Sequence, residues 1–217
     1  TMIMWLIRNF KDRGSWGVWY YNYPWIAPGY LCRPPWSSAF AQGLAISLLS
    51  RYYVILKECK VLKSFSSLTK IKDIVSVIKK AIKAFEQPFV IGGLRYDEEG
   101  CIYFLEYSCQ KFRIVLNGML FGLIGLYDAY TYLNDHTAHE LFKQGLKTIE
   151  ITLKKYNVPL LNWSKYDNGF LLYSGPKYHK LHIILLKTLY DITGSSIVKK
   201  YCERWFASFI KQQSVPY

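Results

Sequence analysis

A carboxylate and a tyrosine stand side by side at Glu106 and Tyr107, directly before the most apolar stretch of the chain, and further tyrosines follow at Tyr173 and Tyr178. Carboxylates and tyrosine hydroxyls can act as general bases or acids once their surroundings shift their pKa values. Such a set suits the removal of a weakly acidic C–H proton beside a carboxylate, provided that positive charge or hydrogen-bond donors hold the developing enolate. The candidates for that second role are Arg113, Asn117, Lys177, His179 and His182.

The two histidines, His179 and His182, are three residues apart and therefore share one side of a helix. Together with Glu106 they would offer ligands of the kind that zinc accepts. No third ligand lies near them in the sequence, so we expect no metal. The chain also lacks the glycine-rich patterns G-x-G-x-x-G and G-x-x-x-x-G-K-S/T, so no nucleotide cofactor is expected.

The element that must support Glu106 and Tyr107 is a helix predicted over the uncharged stretch from Ile114 to Tyr127. The stretch is shorter than the roughly 20 residues that a membrane span needs. It is therefore predicted to be a helix buried on all sides in a globular domain. Its glycines would each weaken a helix by roughly 1 kcal/mol relative to Ala. We expect neighbouring helices to approach closely at these positions, which are Gly118, Gly122 and Gly125.

Apolar residues at helical spacing predict further helices. They cover 37–58, 67–86 (with a solvated lysine face), 134–157 (with a capping box at Thr137–Glu140), 178–192 and a last helix from Ser195. A β-hairpin is predicted over 88–106, and a second strand pair over 160–163 and 169–173. This alternation of apolar and lysine-coated helices predicts a mainly α fold. We expect an incomplete α/α toroid (barrel) of helical hairpins, with short β-hairpins at the active-site end.

Aromatic residues are concentrated in one stretch from Trp16 to Trp25, and they have two interpretations. The bounding Gly and Pro residues favour extended strands that pack on the core. Alternatively, the rings are presented to sugar faces, because aromatic rings stack on apolar ligand surfaces. The sequence leaves both interpretations open.

The net charge of +13, from 28 Lys and Arg against 15 Asp and Glu, favours polyanionic partners such as nucleic acid, an anionic membrane face or an acidic polysaccharide. The five cysteines are odd in number and show no C-x-x-C spacing. A reducing, cytoplasmic (prokaryotic) location is therefore expected rather than a dense disulfide framework. No signal or membrane-spanning segment is predicted. Residues 1–11 resemble the end of a helix already under way, so the chain is expected to be part of a longer protein.

Four blocks resemble the C-terminal domain of D-glucuronyl C5-epimerases, in the order found in that family. They are WSSAFAQGLAIS (36–47), EYSCQKFRIVLNGMLFGLIGLYD (106–128), YHKLH (178–182) and VKKYCERW (198–205). The resemblance implies one α/α-toroid domain over 1–217, to which the family's N-terminal β-rich domain does not belong. It also implies conversion of D-glucuronate to L-iduronate in heparosan-like glycans, by loss of the C5 proton and reprotonation on the opposite face.

The resemblance implies site residues position by position. Family members place catalytic groups at the positions of Glu106, Tyr107, Tyr173 and Tyr178. Which of them is the base and which the acid stays open. We expect substrate to be bound by Trp36, Gln42, Arg113, Asn117, Lys177, His179 and His182.

Other functions remain open beside the epimerase. The same proton abstraction followed by loss of the C4 substituent would make the chain a uronan lyase. A non-catalytic module that binds acidic glycans is a further alternative. The lysines lie along outer helices without a nucleic-acid-binding signature, so an acidic glycan is the expected partner rather than nucleic acid. Members of the resembled family often dimerise, which makes a homodimer compatible with the sequence.

Overall fold

The structure, a computed structural model, describes residues 2–27, 30–58, 65–109, 113–169 and 173–213. Helices make up most of the described chain, which confirms the predicted mainly α fold. The helices are α1 (Met2–Asn9), α2 (Ala39–Glu58), α3 (Phe65–Lys83), α4 (Leu116–Leu133), α5 (His136–Thr152), α6 (Pro176–Thr193) and α7 (Ser196–Gln213).

The strands form small antiparallel pairs rather than one sheet. The pairs are β1 (Lys11–Asp12) with β2 (Gly17–Val18), β3 (Tyr20–Tyr21) with β6 (Trp36–Ser37), β4 (Trp25–Ala27) with β5 (Tyr30–Cys32), β7 (Arg95–Glu98) with β8 (Cys101–Phe104), and β9 (Asn157–Val158) with β10 (Trp163–Ser164). The hairpin predicted over 88–106 is confirmed for 95–104, whereas Phe89–Ile91 form a 3-10 helix. The hairpin turn places Glu99 and Gly100 in the left-handed region.

The second predicted strand pair lies earlier in the chain than expected. Asn162 adopts a left-handed conformation, so the chain turns there and β10 pairs back onto β9. Of the predicted second strand, Tyr173 makes a bridge to Lys165, and 170–172 lie outside the described residues.

Helix α4 is the central element, as predicted for the apolar stretch. It packs against α2, α5 and α6, and it continues to Leu133, where Asn134 in a left-handed conformation ends it. The predicted close approach occurs at Gly125, where an added Cβ would lie 2.3 Å from the carbonyl oxygen of Gly43 on α2. Two facing glycines therefore let the α2 and α4 backbones touch.

Helix α5 begins differently from the prediction. The carboxylate of Asp135 accepts the backbone N–H of Ala138 at 2.9 Å and caps the helix. The capping box predicted from Thr137 is wrong, because Thr137 already lies inside the first helical turn. On α3 the predicted lysine face is exposed at Lys72, Lys79 and Lys83, while the Lys70 side chain lies outside the described residues.

Within the described residues one helix, α2, is long and apolar enough to cross a membrane by length and composition. Helices at the centre of a globular fold meet the same two criteria. In this structure 39% of the apolar window of α2 is buried, much of it against α4.

Candidate active site

A cavity of about 490 Å³ opens where three parts of the chain meet. The aromatic N-terminal segment forms one side, the entrance to α4 forms the floor, and the first two turns of α6 form the other side. Its lining includes Tyr21, Tyr23, Trp25, Trp36, Ser38, Phe40, Glu106, Tyr107, Asn117, Lys177, Tyr178, Lys180, Leu181 and Ile184. Six residues predicted from sequence therefore meet in one cavity, namely Trp36, Glu106, Tyr107, Asn117, Lys177 and Tyr178.

The carboxylate of Glu106 lies against the first turn of α4. The side-chain amide of Asn117 donates to its Oε2 at 2.8 Å, and the backbone N–H of Gly118 also bonds to the carboxylate. A Cβ on Gly118 would lie 2.3 Å from the Glu106 Cβ and 2.6 Å from Oε2. Gly118 therefore makes room for this carboxylate, which corrects the expectation that it accommodates a neighbouring helix.

Burial raises the pKa of Glu106 from its ordinary value of 4.5 to about 7, although hydrogen bonds from Tyr107, Tyr166 and Asn117 partly oppose the shift. A carboxyl group in an apolar surrounding favours its neutral form, because the charged form loses its hydration. Glu106 is therefore poised to exchange a proton near neutral pH.

Two tyrosine hydroxyls lie within reach of Glu106. The hydroxyl of Tyr166 donates to Oε1 of Glu106 at 3.4 Å and lies 3.1 Å from the hydroxyl of Tyr107. Burial, and then the charge of Glu106, raise the pKa of both tyrosines above the usual value. Both hydroxyls stay protonated at neutral pH, so they can donate hydrogen bonds. The upward shift makes neither hydroxyl a base at neutral pH, which is one of the two roles that the sequence analysis left open for tyrosines.

Sequence reasoning missed Tyr166, which is partly buried and bonds to Glu106 from beside the cavity, although it is not among the residues that line it. The Tyr166 carbonyl accepts the N–H of Leu116 at 3.1 Å, and Asp167 bridges Val115. The strand-like entrance to α4 thereby holds Tyr166 beside Glu106, and the Tyr166 ring meets the Tyr178 ring edge-on at 4.8 Å. In the sequence this tyrosine occupies a loop with no periodic pattern, and only the pairing with Val115 reveals its place.

The aromatic segment divides between the two predicted roles. Trp16 and Trp19 are buried in the main core, as the packing interpretation expects. Tyr21, Tyr23 and Trp25 line the cavity instead.

A clamp of two serines, Ser37 and Ser108, joins the strand that carries Trp36 to the segment that carries Glu106 and Tyr107. Ser37 and Ser108 exchange hydrogen bonds, with the Ser37 N–H donating to Ser108 Oγ at 3.0 Å and the Ser108 N–H donating to the Ser37 carbonyl at 3.2 Å. The clamp holds Trp36 and Tyr107 side by side.

Two lysines of α6, Lys177 and Lys180, line the cavity. They are three residues apart in the first turns of the helix, so they share a face. Lys180 was not predicted, although its helical spacing from Lys177 was a usable signal. A cavity with a partly buried carboxyl, tyrosine hydroxyls and two lysine side chains can bind an anionic ligand and move a proton within it.

The sequence model of the D-glucuronyl C5-epimerase C-terminus matches residues 12–207 of the chain. The chain belongs to this family. A D-glucuronyl C5-epimerase of Caenorhabditis elegans is 33% identical to it over 220 residues, covering 93% of the chain and 33% of that protein. An uncharacterized protein of Methanocaldococcus jannaschii is 28% identical over 192 residues, covering 87% of the chain and 56% of that protein. The chain thus covers between one third and little more than half of the length of these relatives.

In this C5-epimerase family member the structure does not bring Tyr173 to the cavity that holds Glu106. Tyr173 is 60% exposed and lines a second cavity of about 630 Å³, together with Trp163 and Arg204. Of these two tyrosines, Tyr166 is the one that bonds to Glu106.

The two histidines are buried behind the cavity wall and do not line it. Nδ1 of His179 accepts the backbone N–H of Ser164 at 3.0 Å, while Nε2 lies 3.2 Å from the Trp205 carbonyl. Nδ1 of His182 lies 2.8 Å from the Ser164 hydroxyl. Burial lowers the pKa of His179 to about 4 and that of His182 to about 3, so both are neutral at pH 7. They support the segment that carries Tyr166, two residues after Ser164.

Two other predicted substrate ligands also lie away from the cavity. Gln42 is fully buried, and its amide donates to the carbonyls of Gly17 at 2.9 Å and Ala81 at 3.0 Å, so it joins α2 to the aromatic segment and to α3. Arg113 is partly buried and does not line the cavity. Across the described parts of the chain no cluster of three His, Cys, Asp or Glu residues could hold a metal ion.

The cysteines differ from the expectation of unpaired thiols. Cys32 and Cys109 form a disulfide across 77 residues of sequence, with their Cα atoms 5.3 Å apart. Cys101 and Cys202 are free and buried, and Cys59 lies outside the described residues. Such bonds persist in oxidising compartments, which removes the cysteine argument for a reducing one. An odd number of cysteines does not exclude one disulfide between two cysteines that are distant in the sequence.

Proposed function

We propose that the chain is the catalytic part of a uronyl C5-epimerase, which converts D-glucuronate residues of an acidic glycan into L-iduronate. The observation that carries the proposal is the Glu106 carboxyl, whose pKa is raised to about 7, hydrogen-bonded to Tyr166 in a cavity lined by Lys177 and Lys180. Membership in the D-glucuronyl C5-epimerase family supports the reaction type.

The lysines supply the charge that the reaction requires. Removing the C5 proton of a uronate moves negative charge onto its carboxylate as an enolate forms. Ammonium groups already aimed at that carboxylate stabilise the developing charge without reorganising. In this proposal Lys177 and Lys180 hold the uronate carboxylate, and the net charge of +13 attracts the rest of the polymer.

Glu106 and the tyrosines supply the proton steps. The C5–H bond breaks, its electron pair enters the enolate, and the proton passes to the Glu106 carboxylate directly or through the Tyr166 hydroxyl. A base with a pKa near the working pH is best suited to this step. Tyr178, on the α6 side of the cavity, donates a proton to C5 from the opposite face, which inverts the centre.

Asn117 has one hydrogen-bonding group engaged and one to offer. Its amide nitrogen donates to Glu106, while its buried Oδ1 has no partner among the described residues. An unpaired acceptor in such a place gains from a ligand that brings a donor. We propose that Oδ1 accepts a hydrogen bond from a sugar hydroxyl and so orients the ring over Glu106.

The finer architecture belongs to the same proposal. Residues 1–217 form one domain whose helical hairpins make an incomplete α/α toroid, with α4 inside and α3, α5 and α7 outside. The substrate is then an acidic polysaccharide of the heparosan type that lies across the aromatic residues lining the cavity, Tyr21, Tyr23 and Trp25. A homodimer is compatible with this arrangement.

Incubation with heparosan in deuterated water tests the function. Deuterium at C5, together with iduronate in the recovered polymer, is the expected result. An absorbance rise from an unsaturated uronide would identify a lyase instead. Binding without exchange across a panel of glucuronans would identify a glycan-binding module and overturn the epimerase.

A pair of tyrosine variants distinguishes the two candidate positions. Tyr166→Phe removes the hydroxyl that bonds to Glu106, and we expect kcat for C5 exchange to fall about 10²-fold or more, in line with the loss of a general acid or base. Tyr173→Phe changes a ring in the second cavity and should leave kcat within about twofold of wild type, well below that acid–base effect. A larger loss from Tyr173→Phe than from Tyr166→Phe would reject this assignment.

The pH dependence follows from the direction of the Glu106 shift. The base form exists above the pKa of about 7, so kcat/KM for C5 exchange should rise with pH and level off above that value. Initial rates of tritium or deuterium wash-in between pH 5 and pH 9 give the profile. A profile already flat from pH 5 would contradict Glu106 as the base.

A further inference from the structure

The hairpin of β4 and β5 forms part of the cavity wall through Trp25. The Trp25 ring lies nearly parallel to the Tyr107 ring, with an interplanar angle of 9° and centroids 6.2 Å apart. In the register of the hairpin, Trp25 stands opposite Cys32. The position of Trp25 over Tyr107 therefore depends on where Cys32 is held.

Apolar packing alone anchors this hairpin weakly. Ile26 is 75% exposed and Leu31 is 48% exposed, so their side chains contribute little buried surface. Cys32, by contrast, is fully buried in a small apolar cluster with Trp36, Tyr107 and Val115, separate from the main core.

The disulfide joins this hairpin directly to the catalytic segment. Cys32 bonds to Cys109, which follows Tyr107 by two residues. One covalent bond thus links the strand partner of Trp25 to the segment that carries Glu106 and Tyr107.

We propose that the Cys32–Cys109 disulfide is a positioning crosslink for the substrate-binding wall, so that the oxidised protein binds its acidic glycan and the reduced protein binds it weakly. The proposal rests on the proposed function of the cavity. The disulfide positions Trp25 and takes no part in the proton steps.

Reduction by a dithiol is chemically accessible at one end of the bond. Cys109 is partly exposed, whereas Cys32 is fully buried. A thiolate of the dithiol attacks the Cys109 sulfur, the S–S bond breaks, and the Cys32 thiolate leaves and takes up a proton. The second thiol of the reductant then displaces the Cys109 thiolate, which is protonated, and the reductant leaves as a disulfide. The protein gains two electrons and two protons.

The acid–base groups are held independently of the hairpin. Glu106 is fixed by Asn117 and Gly118 of α4, and Tyr166 is fixed by the backbone of Leu116. Loss of the crosslink should therefore weaken glycan binding and leave the chemical step largely intact. If the disulfide only stabilised the whole fold, its loss would weaken glycan binding and the chemical step together.

The test compares wild type with the double variant Cys32→Ser/Cys109→Ser, with wild type also assayed after dithiothreitol. We expect KM for C5 exchange into heparosan, and Kd for heparosan oligosaccharides by calorimetry, to rise at least tenfold, with kcat within threefold. Hydrogen exchange should lose protection in peptides covering 25–32 and keep it in α4. The matched control, Cys101→Ala/Cys202→Ala, removes the free buried thiols found among the described residues and should retain the response to dithiothreitol.

The test distinguishes failure of the crosslink proposal from failure of the proposed epimerase function. Unchanged protection of 25–32 on reduction would overturn the crosslink proposal, and so would equal losses in kcat, KM and α4 protection. Weakened heparosan binding on reduction, without C5 exchange in either state, would support the crosslink and reject the epimerase.

Discussion

Glu106→Gln is expected to abolish most C5 exchange and, at the same time, to make the protein more stable at alkaline pH. The substitution keeps the shape of the side chain and removes the group that takes the proton. We expect kcat to fall by about 10²–10⁴-fold, which is the usual contribution of a general acid or base. The accompanying gain in stability is the more discriminating half of the prediction, because a variant that was merely damaged would lose stability.

The direction of the stability change follows from the pKa of Glu106 in the folded and unfolded states. The ordinary value of 4.5 applies to the unfolded chain, and the folded value is about 7. Below pH 4.5 both states hold the proton. As pH rises from 4.5 to 7 the unfolded state releases it first, so stability falls, and above pH 7 the full cost is present. The difference of about 2.5 units corresponds to roughly 3 kcal/mol as an upper estimate. Gln carries no charge and avoids this cost.

Urea unfolding at two pH values checks the prediction. We expect Glu106→Gln to raise the free energy of unfolding by roughly 2 kcal/mol at pH 8 and by close to zero at pH 4.5. Glu203→Gln, at an exposed site on α7, is the matched control and should change neither activity nor stability appreciably. An equal gain at both pH values would show that burial of the carboxylate is not the cause.

Local pattern in the sequence was sufficient for much of the fold. The uncharged run before Tyr127 identified α4, and alternating residues around a Gly-containing turn identified the β7–β8 hairpin. Tyr178 could be placed with Glu106 because the family resemblance implies both positions, and Lys177 was a candidate from its charge alone. These predictions depend on short-range periodicity or on motif order, which a sequence displays directly.

Contacts between segments that are distant in the sequence could not be predicted from short-range periodicity or motif order. Tyr166 reaches Glu106 because Asp167 pairs with Val115, and nothing in either stretch signals the other. The same holds for Cys32 and Cys109. For His179 the residue type and spacing suggested a ligand, but burial against Ser164 decides its role. A polar residue on a helix can face a cavity or a buried partner, and the helical period is the same in both cases.

Gly118→Ala is expected to disable the site without unfolding the protein. The new Cβ would lie 2.3 Å from the Glu106 Cβ, which is near the backbone and cannot simply rotate away, so the carboxylate must leave its place beside Asn117. Misplacing a catalytic group by about 1 Å can cost roughly 10²-fold in rate. The helical preference of Ala over Gly, roughly 1 kcal/mol, offsets part of the crowding.

Two comparisons isolate the effect on Glu106. Gly122→Ala changes the same helix one turn later, where the Cβ would lie 3.0 Å from the Phe85 ring, and its kcat should stay within about threefold of wild type, far from the loss that a displaced base causes. In the Gly118→Ala background, Glu106→Gln should cost little further activity, because the base has already been displaced and neighbouring substitutions are not additive. Fully additive losses would mean that Gly118 acts on something other than the carboxylate.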